Sequence, residues 1–234
     1  MSAVSPSQAA VPAAKAGRRP QSGPPLLAPV LAMTGLTIAY VIVNRATPRP
    51  DASGAEVLKY AAAHGTAISV GAMLLFASAV PLAITSAVLY RRLRALGITA
   101  PGSAITLVGG VLASGALILS AFFSWAGGRL SEAADPALGR ALADLSFLSG
   151  GVGYVVTFAL LIAGVSVTGL LGRLLPRPLA WAGLVLAAVG MLSTFTLVAS
   201  GVGFLLPVVR FGGLVWLVWV AAVLPLTRPR TAHS

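Results

Sequence analysis

Cysteine is absent from this chain of 234 residues, and carboxylates and histidine are nearly so. The sequence contains five Asp and Glu residues in total, two His and no Cys. Without cysteine the protein can have no disulfide framework, no thiolate metal site and no cysteine nucleophile. Neither histidine has a partner at the spacing of metal ligands, so we expect no metal and no cofactor.

Charge of either sign is also scarce. Only 9% of the residues are charged, whereas a soluble domain usually carries about 25%. In contrast, 57% are hydrophobic, and the mean hydropathy is +0.94. So large a deficit of charge means that most of the surface faces something other than water, which predicts a membrane protein.

Six apolar runs are present, and a membrane span needs about 20 such residues. We therefore predict an all-α fold, a polytopic membrane helix bundle with six transmembrane helices. The runs occupy residues 25–43, 66–90, 103–126, 148–171, 180–204 and 209–227.

The two ends of the chain lack such runs. Residues 1–24 are rich in Ala, Pro and Ser and carry three basic residues, which predicts a disordered basic cytoplasmic tail. Residues 25–227 form the predicted transmembrane domain, and residues 228–234 form a short second tail.

The distribution of basic residues predicts the orientation. With the N-terminus inside, ten of the 16 Lys and Arg residues lie on the inner side and six on the outer side. Cytoplasmic loops gather such residues, so both termini are expected in the cytoplasm, and the composition suggests a bacterial inner membrane. The net charge of +11 would suggest nucleic acid in a soluble protein, but here it belongs to the loops, and we expect no nucleic-acid partner.

All five acidic residues fall in the two long loops of the outer side. In the first loop, Ser53 and Glu56 have the spacing of a capping box and predict the start of a short helix.

The second loop predicts a short amphipathic helix on the outer membrane surface or over the mouth of the bundle. Asp135 is a suitable N-cap before Pro136, and Arg140 and Asp144 have the four-residue spacing of an ion pair. The apolar positions of this helix are Leu138, Leu142 and Leu145.

Small residues recur inside the spans and predict close helix packing, because helices in lipid associate where their backbones can approach. Gly109 and Gly110 in the third span are examples. Pro81 predicts a kink in the second span. The segment 206–210 (LPVVR) predicts a tight turn that makes spans five and six an antiparallel hairpin.

No Asp, Glu, Lys, Arg or His lies in the interior of a predicted span, which disfavours proton pumps and voltage sensors. Acidic residues do lie beside aromatic ones at the outer side, and an acid in an apolar pocket can protonate a substrate whose cation aromatic rings stabilise. On this hypothesis Asp144 and Glu132 are the catalytic candidates. The candidate substrate-binding residues are Phe122, Phe123, Trp125, Tyr154, Trp216 and Trp219.

Two motifs carry a resemblance. RLLPRPLAWAGL at 173–184 and LLPVVRFGGLVW at 205–216 resemble segments of a group of actinobacterial multi-span integral membrane proteins with no assigned activity. The resemblance covers roughly residues 147–226. It implies a multi-span inner-membrane protein and assigns no site residue.

Three functions are compatible with these features. The first is a module that binds membrane lipids, a small apolar molecule or another membrane protein. The second is an intramembrane enzyme that cyclises an isoprenoid or lipid substrate by acid initiation, in the manner of a membrane-bound terpene cyclase. The third is a small transporter or a component of efflux or immunity.

Overall fold

The computed structural model describes residues 25–48 and 50–226, and the predicted tails at 1–24 and 228–234 lie outside this part of the chain. The described residues form helices and no strand. The α-helices are α1 (Leu27–Val43), α2 (Gly54–Ala95), α3 (Gly102–Gly127), α4 (Pro136–Phe147), α5 (Tyr154–Leu171), α6 (Arg177–Leu192) and α7 (Leu205–Val223). A π-helical turn, Leu148–Gly153, joins α4 to α5, and two short 3₁₀ helices, Ser193–Leu197 and Ser200–Phe204, join α6 to α7.

Five helical segments in the described residues are long and apolar enough to cross a membrane, which makes this a multi-pass membrane protein. They are Gly54–Ala95, Gly102–Gly127, Pro136–Leu171, Arg177–Leu197 and Gly201–Val223. Helix α1 is equally apolar but has 17 residues, about 25 Å of helix against a hydrocarbon core of about 30 Å. The predicted sixth span therefore stays a prediction.

Small residues hold the central helices together, as the sequence indicates. A methyl group added at Gly109 of α3 would clash with the backbone nitrogen of Leu161 in α5. One added at Gly164 of α5 would clash with Thr106 and with the carbonyl of Gly102 in α3. The two helices are therefore in close backbone contact over the first two turns of α3, which is the packing that association in lipid requires.

Helix α2 is longer than a membrane span, because its 42 residues cover about 63 Å. The helix predicted in the first outer loop is its first part, with Ser53 and Glu56 forming the expected capping box. The two parts meet at His64, whose backbone angles are not helical. Pro81, where we expected the kink, keeps helical backbone angles.

Helix α4 continues the line of α5 and packs against the first part of α2. Asp135 caps α4 as predicted, and its carboxylate accepts a hydrogen bond from the backbone N–H of Ala137 at 2.8 Å. The side chain of Leu58 in α2 lies over Gly139, where a Cβ atom would meet it at 2.9 Å. We call residues 54–63 and 136–147 the cap. The end of the bundle that these residues cover is called the cap end.

The predicted tight turn at 206–210 is wrong. These residues belong to α7, and the chain reverses instead through the two 3₁₀ helices. Pro207 lies in the first turn of α7, where a proline is tolerated because no helical hydrogen bond needs its missing N–H. The proline therefore marks the start of the helix and not a turn before it.

Candidate functional site

A cavity of about 380 Å³ lies beneath the cap. Residues of α1, α2, α3, α4 and α7 line it, together with the π-helical turn and the connection that follows α1. Its volume is within the range of small-molecule sites, about 300–1,000 Å³.

Most of the lining is apolar. The apolar side chains of the lining include Leu75 of α2, Phe123 of α3, Leu142 and Phe147 of α4, and Leu206 of α7. Such a wall offers a dry surface to a hydrocarbon chain, and it leaves the few polar groups to orient a ligand.

Three charged side chains line the cavity, namely Arg140, Asp144 and Arg210. Arg140 and Asp144 form the predicted ion pair, with two N···O distances of 2.9 Å. Arg140 also donates a hydrogen bond to the carbonyl of Ala52, which ties α4 to the residue that precedes the capping box of α2. The pair therefore fixes the cap, and both carboxylate oxygens of Asp144 are engaged by Arg140.

Arg210 is in the second turn of α7 and is half-buried. Its guanidinium donates a hydrogen bond to the carbonyl of Gly150 and lies over the ring of Tyr154, 5.1 Å from the ring centre. Gly150 belongs to the π-helical turn, so this hydrogen bond joins α7 to the connection between α4 and α5. Within residues 25–48 and 50–226, Arg210 has no carboxylate partner.

Three serine hydroxyls form a network on the wall made by α3 and α4. The hydroxyls of Ser124 and Ser146 are 2.7 Å apart, and the hydroxyl of Ser120 donates to the carbonyl of Ser146 at 2.9 Å. All three residues line the cavity. They supply hydrogen-bonding groups without charge.

The cavity brings together only some of the predicted site residues. Asp144 and Phe123 line it. Phe122 and Trp125 are about half exposed on the outer face of α3, and Glu132 is exposed in the loop before α4.

The other three predicted aromatic residues lie away from the cavity lining. Tyr154 is buried behind it and stacks on Phe158, with ring centres 5.3 Å apart. Trp216 is buried and donates a hydrogen bond to the carbonyl of Leu179 in α6 at 2.8 Å. Trp219 is 59% exposed. The structure therefore gives these residues different surroundings, and it does not assemble them around Asp144.

Arg210 and the serine network were missed from the sequence. The predicted turn at 206–210 placed Arg210 in an outer loop, where an arginine needs no explanation. The available signal was Pro207, since a proline at the beginning of a largely apolar run is typical of a helix start. Read in that way, Arg210 is a cation inside a membrane helix, and such residues indicate functional sites.

No known family model, curated protein or solved structure matches this chain, so the geometry of the cavity carries the functional argument.

Proposed function

We propose that this protein is a membrane module that binds an amphiphilic molecule, a lipid or a lipid-like compound, in the cavity beneath the cap. The observation that carries the proposal is the cavity itself, which combines a mostly apolar wall with a small group of polar side chains at one end of a membrane bundle. A ligand that enters from the bilayer can place its chain against the apolar wall and its polar end under the cap.

The proposal includes the placement of the module in the membrane. We assign it to a bacterial inner membrane with six spans, with α1 as the first span and both termini in the cytoplasm. The cap then lies on the outer side, with Glu132, Asp135 and Asp144. The positive-inside distribution of Lys and Arg supports this orientation.

The enzyme hypothesis has less support. Acid-initiated cyclisation needs a carboxylic acid that donates a proton, whereas both oxygens of Asp144 accept from Arg140. Of the six aromatic residues predicted for this site, Phe123 is the one that lines the cavity with Asp144, and the other rings of the lining belong to Tyr40, Tyr60, Phe147 and Phe211.

Blocking the cavity tests the proposal. Ala143 lines the cavity and Ala141 of the same helix is exposed, so Ala143→Trp fills the cavity and Ala141→Trp is its matched control. The measurement is native mass spectrometry of the full chain after gentle extraction from the membrane.

We expect the wild type and Ala141→Trp to retain a bound amphiphile and Ala143→Trp to lose it by tenfold or more. Equal occupancy in the two tryptophan variants, both folded, would show that the amphiphile binds elsewhere. A wild type without any bound molecule, even after incubation with single-chain lipids, would contradict the proposal.

A further inference from the structure

We infer that the ligand of this cavity carries an anionic group with two or more oxygens, a carboxylate or a phosphate, and that Arg210 binds it. The inference rests on the proposed function and specifies the chemical class of the ligand. It begins from the charge that the cavity presents.

The charged groups that line the cavity do not cancel. Arg140 and Asp144 neutralise each other in their ion pair, and Arg210 is left with one positive charge. A half-buried cation at the end of a membrane bundle has lost part of its hydration, and a carbonyl and an aromatic ring return only part of that free energy. An anionic group on the ligand supplies the rest of the stabilisation that the charge of Arg210 lost with its hydration.

The contacts of Arg210 orient it and leave it able to bind. A guanidinium has five N–H donors in a planar fork, and the hydrogen bond that the structure gives Arg210 is the one to Gly150. The ring of Tyr154 lies against one face of the group, and Arg210 is itself part of the cavity wall. The remaining donors match the spacing of two oxygens in a carboxylate or phosphate, which is the geometry that arginine recognises best.

The size and the wall of the cavity limit the rest of the ligand. A cavity of about 380 Å³ is large enough for an anionic head group and part of a chain. The apolar wall of Leu75, Phe123 and Leu206 accepts the chain.

The test compares amphiphiles that share a chain and differ in the charge of the head group. Oleate and oleyl alcohol have the same chain, and lysophosphatidylglycerol and lysophosphatidylcholine differ in the net charge of the head group. Each is titrated into the full-length protein in a non-ionic detergent, with bound ligand counted by native mass spectrometry. We expect the wild type to bind oleate at least tenfold more tightly than oleyl alcohol. A similar preference for the anionic lysolipid would extend the site to phosphate head groups.

The variants assign the preference to one residue. Arg210→Gln removes the charge but keeps donors for the carbonyl of Gly150, and we expect it to bind oleate about tenfold more weakly and oleyl alcohol unchanged. Arg210→Lys keeps the charge but loses the planar fork of donors, and it should retain only part of the preference. Arg129→Gln is the matched control, because Arg129 is exposed at the same end, over the ring of Trp125 and outside the cavity lining. It should behave as the wild type.

The outcomes separate the two proposals. If the wild type binds oleate and oleyl alcohol equally, or if Arg210→Gln weakens both to the same extent, the inference about the anion is wrong and the cavity remains a ligand site. If no amphiphile binds the wild type, the proposed function itself fails. If Arg210→Gln does not fold, the wild-type comparison is repeated at low and high salt, because a preference for oleate that depends on charge must weaken as salt is added.

Discussion

At the scale of single residues, residues of the same type have different roles in this bundle. Gly109 and Gly115 lie on the same helix, yet a Cβ atom would clash with the backbone of α5 at Gly109 and would meet nothing within 4 Å at Gly115. Trp216 and Trp219 are three residues apart, and one is 3% exposed while the other is 59% exposed. Residue type alone therefore does not identify the positions on which the fold depends.

Gly109→Ala should destabilise the bundle. The added methyl group forces α3 away from α5, and overpacking of this kind costs about 1–3 kcal/mol. Gly115→Ala is the control, because it adds the same atom where there is space and improves helix propensity. Thermal unfolding in detergent should show a clearly lower Tm for Gly109→Ala and a Tm at or above that of the wild type for Gly115→Ala. Equal effects would mean that α3 and α5 are not in backbone contact.

At the scale of elements, α4 matters most because it forms one wall of the cavity. The sequence predicts its start, its capping residue and its ion pair correctly, since all three depend on residues within one or two turns. It does not predict which face meets the bundle. Leu142 lines the cavity, but Leu138 and Leu145 of the same predicted stripe are 48% and 43% exposed. Close contact with α2 is made instead at Gly139, which has no side chain and lies under the side chain of Leu58.

Asp135→Ala should loosen the start of α4. The substitution removes the acceptor for the backbone N–H of Ala137, and loss of such a cap costs about 1 kcal/mol. We expect amide hydrogen exchange in residues 137–141 to become about fivefold faster, as 1 kcal/mol implies. Glu132→Ala removes an exposed carboxylate of the same loop and should leave the exchange unchanged. Identical exchange in both variants would contradict a capping role for Asp135.

At the scale of the whole molecule, the protein is a membrane bundle that extends beyond the bilayer at one end. Helix α2 covers about 63 Å, and Pro136–Leu171, which contains α4 and α5, covers about 54 Å. Both exceed the hydrocarbon thickness of about 30 Å, and both extend at the end where the loops contain the acidic residues. The cavity lies where these extensions meet the spans.

The orientation of the bundle can be tested with single introduced cysteines, because the chain has no cysteine of its own. Ser131 is exposed at the cap end, and Thr99 is exposed in the connection between α2 and α3. With the cap outside, a membrane-impermeant maleimide added to intact cells should label Ser131→Cys and not Thr99→Cys. After the cells are opened, both should react. The reverse labelling in intact cells would place the cap in the cytoplasm.

The sequence by itself determined the properties that depend on composition and on neighbouring residues. Membrane insertion follows from long apolar runs, and the caps at Ser53 and Asp135 follow from spacings of two or three residues. The contacts between helices were decided only by the tertiary structure. A membrane helix is apolar on every side, so its sequence gives no amphipathic signal to mark the face that packs inward. Arg210 lies at the cavity, between the π-helical turn and the ring of Tyr154. For the reason just given, these surroundings became visible only in the tertiary structure.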